Sequence, residues 1–130
     1  MPGTTMPLLR RKRVLLLDDD PSIQRLVSRL LRREGYRVDV FFTGREAIEA
    51  IDTTEYAALL LDLMMPHEGG MTVIRHLNSR NPRLLERTLL LTASAESVIA
   101  SVRDDVAGVV QKPFEAAELA GAVRRVAGGR

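Results

Sequence analysis

At 130 residues, the chain has the length of one domain that can bury a single hydrophobic core. It contains no cysteine, which excludes disulfide bonds, thiolate metal sites and a cysteine nucleophile. The net charge is only +2, aromatic residues make up 4% of the chain, and the apolar runs are no longer than strands. We therefore expect a cytoplasmic protein with no membrane partner and no direct nucleic-acid binding.

The first predicted strand follows a tail and leads into a helix. Residues 1–12 include prolines and a glycine and are predicted to form a flexible tail. Val14–Leu17 is a continuous apolar run, typical of a strand buried on both faces, and three aspartates, Asp18–Asp20, follow it. Asp20 is a suitable N-terminal cap and Pro21 a suitable first residue for the next helix.

Three elements are predicted between Pro21 and the middle of the chain. Apolar residues recur with a helical period after Pro21 and stop near Gly35, which suits a helix C-terminus. Residues 37–42 alternate weakly and predict an edge strand. Thr43 and Glu46 have the spacing of a capping box and predict the start of a second helix.

The central run, Ala57–Leu61, ends abruptly in a single acid, Asp62. Five apolar residues in a row indicate a strand buried on both faces, as in a parallel sheet. Because an unpaired carboxylate is costly inside such a strand, we expect Asp62 at the exposed carboxyl end of the strand. Open α/β sheets bind their ligands at that end.

The remaining strands also end in polar residues. The run Thr88–Leu91 ends at Thr92, and Val106–Val110 ends shortly before Lys112. Residues 94–105 leave little room for a helix and its loop. The fourth helix is therefore predicted to be short or irregular.

Helices are also predicted near residues 71–81 and 119–126, which gives five strands alternating with five helices. This alternation predicts an α/β fold in which helices cover both faces of a doubly wound, five-stranded parallel sheet. The length favours the flavodoxin-like strand order 2-1-3-4-5. The domain is expected over residues 13–127, with a short tail at 128–130.

The polar residues at the strand ends should converge, since parallel strands bring their carboxyl ends to one edge. They are Asp18, Asp19, Asp62, Thr92 and Lys112. Three carboxylates repel one another unless a cation neutralises them, and oxygen ligands favour Mg²⁺. A hydroxyl and an ammonium can bind phosphoryl oxygens, and an aspartate can become an aspartyl phosphate. Each residue alone has a plainer explanation, as a helix cap or a loop residue, but the set favours phosphoryl transfer.

In this order and spacing, four short motifs resemble those of response-regulator receiver domains of two-component signal transduction, in the chemotaxis-regulator-like superfamily. The similarity extends from about Arg13 to Val126. The motifs are Leu17–Pro21, Asp62–Pro66 with Gly70, Leu91–Ala93 and Lys112–Phe114.

The resemblance implies that Asp62 accepts a phosphoryl group from a histidine kinase or a histidine phosphotransfer protein. It implies that Thr92 binds a phosphoryl oxygen and moves on activation, while Lys112 pairs with the phosphorylated aspartate. Mg²⁺, or Mn²⁺ in its place, is implied as the cofactor. The implied metal ligands are Asp18, Asp19, Asp62 and the backbone carbonyl of Met64.

Two features depart from the family pattern, and two further residues occupy variable positions. Val109 occupies a switch position that is usually tyrosine or phenylalanine, and the interval from Thr92 to Lys112 is about two residues shorter than usual. We therefore expect an altered output face. Met64 and Ser94 occupy positions that tune the lifetime of the phosphoryl group, and an apolar Met64 predicts slow self-dephosphorylation.

The sequence thus favours a signalling switch whose only chemistry is its own phosphorylation and dephosphorylation. One alternative is an interaction domain that phosphorylation does not regulate, which Val109 favours. Another is a Mg²⁺-dependent aspartyl-phosphate phosphohydrolase, which the lack of an acid two residues after Asp62 disfavours. The kinase, the oligomeric state and the downstream target or attached output domain are not specified by the sequence.

Overall fold

A computed structural model of the chain describes residues 11–63, 65–66 and 68–128. Most of the predicted N-terminal tail and the last two residues lie outside this range. Met64 also lies outside it, so the expectations for its backbone carbonyl and for its effect on phosphoryl lifetime stay predictions.

Five parallel strands form a single sheet in the order β2-β1-β3-β4-β5, which confirms the predicted fold and strand order. The strands are β1 (Arg13–Leu17), β2 (Arg37–Phe41), β3 (Ala58–Leu61), β4 (Thr88–Thr92) and β5 (Gly108–Gln111). The helices are α1 (Pro21–Arg33), α2 (Gly44–Thr53), α3 (Gly70–Arg80), α4 (Glu96–Ala100) and α5 (Ala116–Val126).

The sheet separates two hydrophobic cores. Helices α1 and α5 cover one face, where Leu16 and Leu60 are buried, and α2, α3 and α4 cover the other, where Leu15 and Leu59 are buried. Successive residues of a strand point to opposite faces, so a strand covered on both sides needs an unbroken apolar run. The apolar runs of β1 and β3 meet this requirement.

The predicted helix starts are confirmed in detail. The carboxylate of Asp20 accepts a hydrogen bond from the N–H of Ser22 at 2.8 Å, and α1 begins at Pro21. At the start of α2, the Thr43 hydroxyl accepts from the N–H of Glu46 at 3.2 Å. The Glu46 carboxylate accepts in turn from the N–H of Phe42 at 3.3 Å, one residue before the cap.

Helix α4 is only 5 residues long, and a 3-10 helix over Arg103–Asp105 follows it. This confirms the prediction of a short fourth helix. A second 3-10 helix, Pro82–Arg87, was not predicted and joins α3 to β4. Strand β5 begins at Gly108, whereas the sequence predicted a start at Val106.

Lys12, which the sequence places in the tail, is tied to the domain. Its carbonyl accepts a hydrogen bond from the N–H of Arg37 at 2.9 Å, and its ammonium donates to the carbonyl of Ala127. The domain limits stay a prediction. None of the described helices has the length and apolar character needed to cross a membrane.

Candidate functional site

Three aspartates meet at the carboxyl ends of the two central strands. Asp18 and Asp19 follow β1, and Asp62 follows the neighbouring strand β3. Each residue offers one carboxylate oxygen, and these oxygens lie within 4.8 Å of one another. Asp18 and Asp62 are buried, whereas Asp19 is exposed to solvent. We call these three residues the acid group.

Asp62 lies at the carboxyl end of its strand as predicted, but the expectation that this end is exposed was wrong. Only 7% of the residue is exposed. The ammonium of Lys112 lies 3.5 Å from the Asp62 carboxylate, so this carboxylate is not the unpaired charge assumed from the sequence. A buried charge is tolerated when a partner of opposite charge is buried beside it.

Lys112 bridges both buried acids from the end of β5. Its ammonium lies 2.7 Å from the carboxylate of Asp18, which is closer than its distance to Asp62. Burial lowers the pKa of Lys112, but the hydrogen bond and the charge of Asp18, with a smaller contribution from Asp62, raise that pKa above its ordinary value. Lys112 therefore stays protonated throughout the physiological range.

The backbone around the acid group is held by groups that sequence reasoning did not single out. Gln24 is buried, and its side-chain amide donates a hydrogen bond to the carbonyl of Asp18. The N–H of Asp20 donates to the Asp18 carboxylate at 2.9 Å. Gln24 is one turn before Val27 and two before Leu31, both buried, so a polar residue on the apolar face of α1 was the available signal.

Two glycines bring the start of α3 against the end of β3. The N–H of Gly70 donates to the carbonyl of Asp62 at 2.6 Å, and a Cβ at this position would lie 2.7 Å from that oxygen. A Cβ at Gly69 would lie 2.8 Å from the carbonyl of Leu63. Both distances are too short for any residue with a Cβ, so both positions require glycine. The sequence motif identified Gly70, whereas the need for glycine at position 69 was missed.

Thr92 ends β4 at the same edge of the sheet and is fully buried. Its hydroxyl lies 2.7 Å from the hydroxyl of Ser94 and accepts a hydrogen bond from the Ser94 N–H at 3.0 Å. The two residues at which the sequence predicts phosphoryl binding and lifetime tuning are thus directly linked.

Val109 lies in β5, in register with Leu90 of β4, and is partly buried. It packs against the core that α2, α3 and α4 cover. An aliphatic side chain at this position has no hydroxyl or ring that could turn inward, as the sequence indicated.

The acid group and Lys112 together carry three formal negative charges and one positive charge, a net charge of −2 for these four residues. The available donors are carboxylate oxygens, one of them exposed. A small, hard, divalent cation fits this set of donors.

The family model for the response regulator receiver domain matches residues 14–124. This chain belongs to that family. The receiver domain is the regulatory domain of two-component response regulators and is phosphorylated on an aspartate.

Relatives of this receiver domain include transcriptional regulators. It is 34% identical over 125 residues to the transcriptional regulatory protein TcrA of Mycobacterium tuberculosis, a match that covers 91% of this chain and 47% of TcrA. It is 33% identical over 116 residues to the DNA-binding response regulator MtrA of Mycolicibacterium smegmatis, covering 88% of this chain and 50% of MtrA. The chain thus spans about half the length of these relatives.

Solved receiver domains have the same fold. The receiver domain of the sensor histidine kinase PA1611 from Pseudomonas aeruginosa, with a magnesium ion in its active-site cleft, is 28% identical with a TM-score of 0.81, covering 91% of this chain and 98% of that one. The response regulator TrrA from Thermotoga maritima, in complex with Mg²⁺ and BeF, is 29% identical with a TM-score of 0.79. The match covers 88% of this chain and 98% of TrrA.

Proposed function

We propose that Asp62 is the phosphoacceptor of this receiver domain and that a histidine kinase or a histidine phosphotransfer protein is the donor. The observation that carries the proposal is the position of the Asp62 carboxylate. It lies 3.5 Å from the ammonium of Lys112 and within 4.8 Å of carboxylate oxygens of Asp18 and Asp19. The set supports one aspartate as nucleophile and the surrounding charges as its stabilisers.

Asp18, Asp19 and Asp62 would hold Mg²⁺, or Mn²⁺ in its place, with the carbonyl of Met64 as a further ligand. The cation would neutralise charge on the transferred phosphoryl group. The Mg²⁺ ions in the related structures of PA1611 and TrrA support this assignment.

In the transfer step, a carboxylate oxygen of Asp62 forms a bond to phosphorus while the bond from phosphorus to the donor histidine nitrogen breaks. The ammonium of Lys112, already 3.5 Å from the Asp62 carboxylate, would bind a phosphoryl oxygen. The Thr92 hydroxyl would break its hydrogen bond with the Ser94 hydroxyl and donate to a second phosphoryl oxygen. Water later hydrolyses the acyl phosphate, so the domain catalyses only its own phosphorylation and dephosphorylation.

Phosphorylation would change a protein-binding surface near α4. The short α4 and the aliphatic Val109 support an output face that differs from that of most receiver domains. Ser94 and Met64 would tune the phosphoryl lifetime, and an apolar Met64 cannot orient an attacking water, which supports a long lifetime.

The domain, over residues 13–127, would act in the cytoplasm on an attached output domain or on a separate protein. The relative MtrA is a DNA-binding response regulator, so DNA binding by an attached domain is one output to consider. Within residues 13–127 we expect no direct contact with nucleic acid.

The test is intact-mass measurement after incubation with acetyl phosphate and Mg²⁺, followed by phosphotransfer from candidate histidine kinases. We expect one phosphoryl adduct that requires Mg²⁺ and is absent in Asp62→Asn. Asp20→Asn is the matched control, because asparagine also caps α1 and the adduct should persist.

A second candidate is an interaction domain that phosphorylation does not regulate, which Val109 favours. Failure of every donor to form the adduct would favour this candidate. Repeated turnover of a small phosphate ester would instead indicate a phosphohydrolase.

A further inference from the structure

A groove of about 710 Å³ lies between α1 and the edge strand β2, outside the acid group. Its apolar part is formed by Val40 and Phe42, and no acidic residue lines it. One wall carries four exposed arginines of α1, namely Arg25, Arg29, Arg32 and Arg33. We call this feature the arginine groove. It combines concentrated positive charge with apolar surface.

The charges of the arginine groove are largely unbalanced. Arg25, Arg29 and Arg33 follow one another at intervals of four residues and so share a face of α1. Within the described part of the chain, none of them makes an ion pair or a side-chain hydrogen bond. The first two acids that follow the groove arginines in sequence, Glu34 and Asp39, are paired with arginines outside the groove. Like charges at this spacing repel, and an anionic partner would relieve the repulsion.

The floor of the groove offers both apolar and polar contacts. Phe42 is 54% exposed and is one of two large hydrophobic residues exposed in the described ranges, the other being Leu26. Ser28 also lines the groove and is only 5% exposed. Its hydroxyl makes no hydrogen bond to another described residue. No buried side-chain polar atom of the described residues lacks a hydrogen-bond partner, so the Ser28 oxygen reaches solvent and offers the floor one polar contact to a ligand.

The neighbouring strand has an open edge. The N–H of Arg37 and the carbonyl of Phe41 bond to the β1 side, so the alternation directs the backbone groups of Val38 and Val40 outward. From the side chains of the described residues, the carbonyl of Val38 accepts only one long hydrogen bond, at 3.4 Å, from Arg32. The side chains of Val38 and Val40 lie on the α1 face of the sheet. An extended peptide could add to this edge and direct alternate side chains toward the arginines.

We propose that the arginine groove binds an acidic, extended segment of a partner protein, which adds a strand to β2. The carboxylates of the segment would pair with Arg25, Arg29 and Arg33, and its apolar side chains would cover Phe42. This proposal concerns a surface separate from the acid group and does not depend on phosphorylation.

Other occupants fit less well. Residues 1–10 of this chain contain no acid and cannot balance the arginines. Nucleic acid would satisfy the charge, but the groove has a single aromatic side chain for stacking and an apolar floor that phosphates do not use. Among the described residues, the exposed acids of a second copy lie in helices and loops and none lies in a strand, so they do not fit addition to a strand edge.

The experiment uses the full chain and a fluorescent peptide of about eight residues in which glutamate alternates with valine, the period of a strand. Anisotropy is measured at about 0.01 M ionic strength, where screening is weak. We expect saturable binding that is at least about tenfold tighter than that of the matching glutamine–valine peptide. Hydrogen exchange should slow at the amides of Val38 and Val40.

The variant Arg25→Glu/Arg29→Glu should weaken binding by about tenfold or more. The matched control is Arg80→Glu/Arg83→Glu, which makes the same change in charge at two exposed arginines without ion pairs among the described residues. The control should stay within about twofold of the wild type. Phe42→Ala tests the apolar floor without changing the charge and should weaken binding a few-fold. Circular dichroism verifies the fold of each variant.

Several outcomes would overturn the proposal. They are the absence of saturable binding below about 1 mM peptide, equal binding of the glutamine–valine peptide, and an equal loss in the control variant. Tighter binding of a single-stranded DNA of about 12 nucleotides would assign the groove to nucleic acid instead. Self-association that Arg25→Glu/Arg29→Glu abolishes would assign it to a second copy.

Discussion

The half of the sheet that carries the acids differs from the half that carries Thr92 and Val109. In β1 and β3, the residues from Val14 to Leu17 and from Ala58 to Leu61 have 0% exposure, and helices of 10 to 13 residues surround them. In the other half, β4 is buried like β1 and β3, but β5 is an edge strand, α4 has 5 residues, and Val109 is only partly buried.

The difference indicates that the charged groups of the site are held in fixed positions, whereas the segment around α4 can rearrange. Charged groups at a site of phosphoryl transfer need fixed positions, which dense packing on both faces of β1 and β3 provides. Segments that rearrange come from the less stable parts of a fold, where buried apolar contacts are few. The comparison predicts large effects in the acid-bearing half and smaller ones around α4.

The largest effect should come from Lys112→Met, since Lys112 joins the two halves. Removing the ammonium leaves Asp18, which is fully buried, without its partner at 2.7 Å. We expect a loss of about 3 kcal/mol in the free energy of unfolding, measured by urea titration. Phosphoryl incorporation should fall about 100-fold.

Arg124→Met is the control for this prediction. The pair of Arg124 with Glu34 at 2.9 Å is exposed on both sides, so its loss should change stability by less than about 1 kcal/mol. If Lys112→Met and Arg124→Met lost the same free energy of unfolding, the buried ion pair of Lys112 would not be what links the two halves.

The next effect compares the packing of the two halves directly. Leu60→Ala removes a fully buried side chain of β3 and should cost about 3 kcal/mol. Val98→Ala shortens a partly buried side chain of the short α4 and should cost about 1 kcal/mol or less. If chemical denaturation gave similar losses of unfolding free energy for Leu60→Ala and Val98→Ala, the proposed difference in packing would be refuted.

Alkaline pH should also destabilise the acid-bearing half. Burial, and then the hydrogen bond and charge of Asp39, raise the pKa of Tyr56 above its ordinary value of 10.0. The folded state therefore keeps a proton that the unfolded chain releases. This stabilisation is complete below about pH 10 and is lost as the pH rises through the raised pKa. The urea midpoint should fall above pH 10.

Tyr56→Phe should make the decrease of the urea midpoint above pH 10 less steep. At neutral pH it should lower the free energy of unfolding by about 1 kcal/mol, because the hydrogen bond to Asp39 at 2.7 Å is lost. Lys112, with its raised pKa, adds a loss in the same direction. A fall of unchanged steepness in Tyr56→Phe would show that other groups are responsible.

The smallest effect is expected for Ser94→Ala. This change frees the Thr92 hydroxyl from its 2.7 Å contact, so the hydroxyl becomes available to a phosphoryl oxygen at less cost. We expect incorporation to accelerate about threefold, which corresponds to roughly 0.6 kcal/mol. Ser94→Thr retains a hydroxyl and should behave like the wild type. Slower incorporation in Ser94→Ala would mean that Ser94 assists Thr92.

The sequence specified those features that depend on residues close together in the chain. Continuous apolar runs identified the central strands, and the polar residue after each run located the edge where Asp18, Asp62 and Thr92 meet. The burial of Asp62 was not predictable in this way, because it depends on a lysine 50 residues away. The contacts of Gln24 and Ser94 were not predictable either, although Ser94 was named through the family resemblance, since they depend on which backbone and hydroxyl groups the fold brings near these side chains.

The close contacts around the loop after Asp62 have a consequence for genetics. Gly70 approaches the carbonyl of Asp62, and Gly44 donates to the carbonyl of Glu68 at 2.7 Å, where a Cβ would lie 2.9 Å from the same oxygen. A random mutant library selected for loss of signalling should therefore recover alleles at Gly44, Gly69 and Gly70 as well as at the acids. Such alleles would leave every charged side chain of the acid group intact.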